Sequence, residues 1–268
     1  MTLRFPMSRT EQPRLEQWTV KDYEELAPPQ SLVPFVDRFW HGVVSATSPF
    51  RDFTIVPDGC VDVVYEQLGP HVRCFIFGTA SHLQQFHFTP DAQYVGIRFR
   101  PGMGRHVLDL HPSELTDQHV EIPAFLGIQP DELAEEAGFV AQTELLTHRL
   151  STTLHRLDIG PTPLDQALQS MQQNRDVWRV DTLSELTGRS ARHIERTVMA
   201  QIGLPPKLLL RILRVQSAIA AIHRAPLRSL VDLATMLGYS DQAHMNRDFR
   251  LLTGTTPAQY QLALAQKA

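Results

Sequence analysis

The second half of this 268-residue chain contains one unit twice. "DTLSELTGRSARHIERTVMAQIGLPPKLL" aligns with "VDLATMLGYSDQAHMNRDFRLLTGTTPAQY", with Gly188 on Gly238 at an offset of 50. Beyond that glycine the offset is 51, pairing Ile194 with Met245, Arg196 with Arg247, Val198 with Phe249, Gly203 with Gly254 and Pro206 with Pro257. The second copy therefore has one extra residue in its turn. Self-similarity of this kind means two copies of one supersecondary unit, which excludes most single-core folds for this half.

The unit reads as a helix-turn-helix. Leu230, Leu233, Ala234 and Leu237 line one side of a short first helix, and Gly238 provides the tight turn to a second. At about 100° per residue, Met245, Phe249 and Leu252 fall inward in the second copy, as do Ala191, Ile194, Val198 and Ile202 in the first. Ala243, Asn246, Arg247 and Arg250 then face outward, with Gln242 just before them; the matching arc of the first copy holds Arg192, His193 and Arg196, with Glu195 on the flank. Arg and amide side chains are the ones that bond base edges in pairs, whereas idle helix surfaces favour Lys and Glu at i,i+4. A plain solvated face is the competing reading. The recurrence of Arg at one outward place favours a major groove, where the second helix of such a motif lies. Between the copies, "PPKLLLRILRVQSAIAAIHR" reads as an apolar connecting helix that packs on both, with Arg211 and Arg214 reaching phosphates or covering its surface.

From Pro163 to Lys267 the chain resembles the AraC/XylS family of transcriptional regulators, whose DNA-binding domain is a pair of helix-turn-helix units on one connecting helix. Leu183, Leu186, Gly188, Ser190, Ile194, Arg196, Gly203, Pro206, Arg214 and Ala218 carry the match in the first unit and connector. In the second unit it rests on Leu233, Ala234, Gly238, Tyr239, Arg247, Phe249, Gly254, Thr256, Pro257 and Tyr260. Pro205 and Leu209 depart from the family's usual Ser and Tyr, a matter of local packing. The expected contacts to double-stranded DNA are Ser190, Arg192, His193, Glu195, Arg196, Gln242, Ala243, Asn246, Arg247 and Arg250.

Charge follows the same division. Residues 165–268 carry 13 Lys+Arg against 8 Asp+Glu, and residues 1–164 carry 12 against 21, so a basic half is joined to an acidic one within a net charge of −4. "LDIGPTPLD" interrupts two helical patterns and marks the boundary. The expected organisation is an arm at 1–27, a β-rich sensor and dimerisation domain at 28–160, and the DNA-binding domain at 161–268. The fold class is α+β.

In the first half, "FTIVPDGCVDVVYEQ", "RCFIFG", "QQFHF" and "QYVGIRFRPG" alternate and are punctuated by Pro and Gly, as in a small antiparallel sheet or barrel. "PPQSLVPFVDRFW", "VPDGCVDVVYE", "GIRFRPG" and "HPSELTDQHVEI", spanning Pro28 to Leu126, are similar to the sensor-type domain of an AraC subgroup. That resemblance implies a cupin-like barrel, and a small-molecule effector or a partner is expected to act there, with no ligand specified by the motifs. No arabinose site carries over. Within "YVGIRFRPG", Arg98 and Arg100 share a face opposite Val95, Ile97 and Phe99. The ordinary habit of Arg puts that face in solvent; at a barrel mouth the two would hold an anionic effector.

Catalytic and metal chemistry find little purchase. In "PDGCVD", Asp58 and Asp62 flank Cys60, but Pro57-Asp58-Gly59 reads as a turn and nothing in the sequence places a base beside the thiol. Two cysteines cannot supply the four thiolates of a zinc-bearing alkyl-repair site, and His82 and His87 fall on opposite faces of a strand. No catalytic residue, metal or cofactor is expected. "FVAQTELLTHRLSTTLHRL" sets Leu146, Leu150, Leu154 and Leu157 along one helix side, to pack on the barrel or pair two copies into a homodimer. The N-terminal stretch lacks a signal-peptide core and no segment reaches membrane-spanning length, which reads as a cytoplasmic protein without a membrane partner. The expectation is a sequence-specific, effector-controlled regulator, with RNA polymerase as a partner if it activates. The alternative is a β-barrel enzyme tethered to DNA.

Overall fold

The computed structural model describes residues 20–44, 52–108, 110–174 and 178–265. Most of the arm expected at 1–27 lies outside them. The described residues of the first half hold eight strands: β1 (Val20–Leu26), β2 (Val36–Val44), β3 (Asp52–Ile55), β4 (Val61–Leu68), β5 (His71–Phe77), β6 (Gln84–His87), β7 (Gln93–Phe99) and β8 (His119–Ile122). Six form an antiparallel sheet in the order β1-β2-β7-β4-β5-β8, and β3 pairs with β6 in a second, two-stranded sheet. Among the described residues, one 3-10 turn at Gly104–His106 and three α-helices accompany them: α1 (Pro112–Leu115), α2 (Pro130–Ala134) and α3 (Phe139–Arg156).

The large sheet is covered on both faces. On one, Phe39, Val63, Ile97 and Phe99 pack with Leu146 and Leu150 of α3. On the other, Trp40, Val64 and Tyr94 form a second cluster with Phe88 packed against it. β2 is buried almost throughout and so lacks the hydrophobic alternation by which half-exposed strands are read. Gly96 has a specific reason to be glycine, since a Cβ there would sit 2.1 Å from Cε2 of Trp40.

The leucine stripe of α3 belongs to this core. Leu146 and Leu150 are completely buried and Leu154 is nearly so, while Leu157 lies beyond the helix and is half exposed. A homodimer cannot be held together by side chains already packed inside their own subunit. Of the two roles its pattern allows, the stripe takes packing on its own subunit and does not serve as a pairing surface. The outer side of α3 exposes Glu144, His148 and His155, with Val140 in its first turn the exposed apolar residue.

The second half is helical: α4 (Pro163–Asn174), α5 (Val180–Thr187), α6 (Ala191–Ile202), α7 (Pro206–Arg224), α8 (Leu230–Met236), α9 (Gln242–Thr253) and α10 (Pro257–Ala265). Leu209, Ile212, Ile219 and Ile222 of α7 are fully buried, and the helix centres a core shared with Leu183, Ile194, Val198, Leu233, Met245 and Phe249. The connecting helix is therefore core, as its composition implies.

The halves touch. Val56, 1% exposed, joins the helical core; Gln216 Nε2 donates to Pro57 O at 2.6 Å, and Leu209 lies 3.1 Å from where a Cβ of Gly59 would be. Arg105 bonds both carboxylate oxygens of Asp165, at 2.8 and 3.3 Å.

Candidate nucleic-acid interface

The two repeat units fold alike because their local signals are alike. Ser190 caps α6 by accepting from His193 N at 3.3 Å, and Asp241 caps α9 by accepting from His244 N at 2.6 Å. Such caps satisfy a backbone donor that the helix leaves free and stabilise it by about 1 kcal/mol each. Gly203 and Gly254 end the same helices in left-handed conformations, with φ of 83° and 75°. Gly188 and Gly238 hold positive φ at the turns, as the alignment requires.

Ile194, Val198 and Ile202 are buried in α6, as are Met245, Phe249 and Leu252 in α9. Ala191, expected on the inner stripe, is exposed: it stands one turn too early to reach the core. Arg192, Glu195 and Arg196 are exposed on α6, and Ala243, Arg247 and Arg250 on α9; His193, Gln242 and Asn246 are half buried. None of the four arginines makes a hydrogen bond or ion pair among the described residues. The Asn246 Oδ1 atom is buried and lacks a hydrogen-bond partner. Two helices thus present unengaged guanidinium groups at matched positions, which suits recognition of an anionic, hydrogen-bonding polymer.

The flanking polar residues are spent internally. Asp248 lies within 3.3 Å of Arg211 Nε and so fastens α9 to α7. Arg214 donates to Trp178 O and stacks over the Tyr239 ring with its guanidinium 4.8 Å from the centroid. Both residues serve packing in this conformation. Arg179, Lys207, Arg211 and His244, with Asp181 and Asp248 paired to the two arginines, line an open groove of about 510 Å³ between the start of α5, α7 and α9, a feature dispersed in sequence and invisible to a linear reading.

In the first half, Arg98 is only 2% exposed. Its Nε donates to both oxygens of Asp62 at 3.3 Å, and Nη1 lies 3.2 Å from Asp58 Oδ2. Asp62 also accepts from Trp40 Nε1 at 3.0 Å, and Asp58 from Cys60 N at 2.9 Å. Burial opposes the Arg98 charge, yet Asp62 and Asp58 outweigh it and raise the guanidinium above its ordinary range. The solvent-facing reading of this residue fails because the second sheet and Trp40 cover that face. Arg100 is elsewhere: it is half buried and donates to Val33 O at 2.7 Å, with Asp37 at 3.8 Å. Asp58, Cys60, Asp62, Phe77, Phe86 and Arg98 are among the residues lining a cavity of about 70 Å³ that Arg100 does not reach. Asp58 keeps the turn role that its sequence implies, accepting from Cys60 N beside Gly59 at φ 80°, and also faces Arg98; for Asp62, a charged residue alternating with Val61 and Val63 is the available signal.

Burial pushes the Cys60 thiol well up, and Asp58 adds to that; burial raises Cys74 to about 12. Both are free, buried cysteines with little thiolate to offer as nucleophile. Among the described residues no cluster of three or more His, Cys, Asp or Glu is arranged to hold a metal ion, and no helix is long and apolar enough to cross a membrane.

Comparison with known proteins gives two family matches. A helix-turn-helix domain covers residues 183–263, and a domain of unknown function (DUF6597) covers residues 24–121. The chain is 30% identical over 233 residues to YbfI of Bacillus subtilis, an uncharacterized HTH-type transcriptional regulator, spanning 84% of this chain and 73% of that one. It is 24% identical over 92 residues to the HTH-type transcriptional regulator MtrA of Neisseria gonorrhoeae, 34% of this chain and 30% of the relative. Among solved structures, ToxT of Vibrio cholerae matches at 10% identity with a TM-score of 0.44, covering 84% of this chain and 98% of that one.

Proposed function

The chain belongs to the AraC/XylS family of helix-turn-helix transcriptional regulators, and from that premise we propose that α6 and α9 enter successive major grooves on one side of the duplex. The protein is a DNA-binding transcription regulator; what is proposed is how it reads its site. The repeat-equivalent, unengaged Arg196 and Arg247, held on helices packed to one buried connector, carry this reading. Contacts should centre about 10–10.5 base pairs apart.

The faces differ at matched places. Arg192, Glu195 and Arg196 on α6 suit guanine and cytosine; Ala243 and Asn246 on α9, with Gln242 beside them, suit adenine and the thymine methyl. The half-site under α6 should therefore be the richer in G·C. Selection from a random library, followed by Arg192→Ala and Asn246→Ala on the winning site, tests this: each variant should relax a different half-site. A palindrome within one protomer's footprint, or two variants relaxing the same base pair, would refute it.

We further propose that the first half takes a small-molecule effector in the Asp58, Asp62 and Arg98 cavity, that the protein acts in the cytoplasm, and that it is not an enzyme. The buried thiols give the enzyme alternative no cysteine nucleophile. An effector meets Arg98 already neutralised by two carboxylates, so the cavity favours a neutral or cationic molecule over the anion the sequence suggested. Small amines should raise the melting temperature of the full-length protein more than carboxylates of equal size. A rise with carboxylates alone would restore Arg98 as an anion receptor. Pairing of two copies would need a surface other than the α3 leucines, and sedimentation of the full-length protein measures whether one exists.

A further inference from the structure

Both recognition helices end against the first half of the chain, at equivalent glycines. At the end of α6, Thr116 Oγ1 donates to Gly203 O at 2.9 Å, and a Cβ on Gly203 would lie 2.4 Å from Thr116 Oγ1 and 2.6 Å from Pro112 O. At the end of α9, Leu83 packs on the helical core with Cδ2 3.2 Å from where a Cβ of Gly254 would be. The first contact belongs to α1 and the residue after it; the second belongs to the loop between β5 and β6. The two contacting residues, Leu83 and Thr116, are more than thirty residues apart in sequence.

One carboxylate joins them. Asp117 accepts from Ser81 N at 2.7 Å, Ser81 Oγ at 2.6 Å and Gln84 Nε2 at 2.8 Å, and its own N–H donates to Thr79 O at 3.0 Å. Its backbone has φ of 59°, a conformation that Asp tolerates better than most residues. At the root of the loop a Cβ on Gly78 would fall 1.7 Å from Leu115 O, so loop and α1 are in backbone contact there too. A shift of either segment is thereby passed to the other.

We propose that Asp117 is a positioning residue for DNA recognition: by locking α1 and the β5–β6 loop into one platform, it fixes the spacing between the two recognition helices. The proposal rests on the reading that both helices enter DNA. The contact falls at residues 203–205, the link from α6 to α7, so Thr116 engages the first unit where it joins the connector. Leu83 gives the second unit its matching stop. The same platform backs the effector cavity, whose lining includes Gly78, Ala80, Gln84 and Gln118.

The test is a spacing scan with full-length protein. The selected site is altered by inserting or deleting one or two base pairs between half-sites, and affinity is measured at fixed salt. Wild type should lose about tenfold for each base pair away from the optimum, the scale of a mismatched base pair. Asp117→Gly fits the positive φ while removing the carboxylate, and should flatten that profile to within about threefold. Asp117→Asn keeps acceptor capacity and should stay close to wild type. Leu83→Ala, which leaves Asp117 untouched, should flatten the profile as well and serves if the glycine variant does not fold. A wild-type profile retained in Asp117→Gly, or in Leu83→Ala where that variant stands in, overturns the proposal; so does a flat profile in wild type. Selection of a single half-site by wild type would instead overturn the two-helix reading beneath it.

Discussion

Arg98→Met is expected to destabilise the β-rich half by about 3–5 kcal/mol, the cost of breaking a buried ion pair from one side. Methionine keeps much of the volume, so the loss is electrostatic: Asp58 and Asp62 remain buried around a vanished counter-charge. Replacing all three, with Asp58→Asn and Asp62→Asn added, should recover most of the stability, because no uncompensated charge is left. Hydrogen exchange of β4 and β7 amides in urea measures both, and avoids assuming that the two halves unfold together. A loss under about 1 kcal/mol for the single variant would mean that water reaches the cluster and that the cavity is far more open than its geometry implies.

The second large effect is on DNA. Arg196→Ala and Arg247→Ala should each weaken operator binding by about 1–3 kcal/mol, a lost two-point contact to a base edge. The double variant should approach the sum, because the helices belong to separate repeat units with no shared contact between the two side chains. Neither arginine has an intramolecular hydrogen bond or ion pair to lose, so folding stability should change by less than about 0.5 kcal/mol. The distinguishing readout is sequence dependence. Loss of a base contact relaxes preference at one position, whereas loss of a phosphate contact weakens all sites alike and lowers the salt slope by about one. Full operator affinity in both variants at matched salt would remove α6 and α9 from the groove.

The helical half was legible because its information is local and doubled. Gly188, Gly238, Gly203 and Gly254 mark turns and helix ends through a backbone preference that operates within a few residues. The inward stripes of Ile194 and Val198, and of Met245 and Phe249, follow from helical period alone. Exposed arginines on the opposite arc were legible for the same reason. Ala191 misled because a first-turn residue stands beyond the edge of the core even when its angle is right.

The β-rich half was legible as strands and turns, but not in what covers each face. Period two assigns Arg98 to the face of Gly96 and says nothing of what lies over it. Only the tertiary structure brings Trp40, Asp62 and the second sheet there, turning an apparently solvated arginine into a neutralised, buried one. It likewise turned the α3 leucines inward, since amphipathicity specifies an apolar face and leaves its partner open. The repeat, its helix ends and its outward arginines were set by the sequence alone, through short-range backbone and periodicity effects. The neutralised cavity, the contacts of Pro57 with α7, and the platform joining Ser81 to Asp117 depend on residues 33 to 159 positions apart, which only long-range packing brings together.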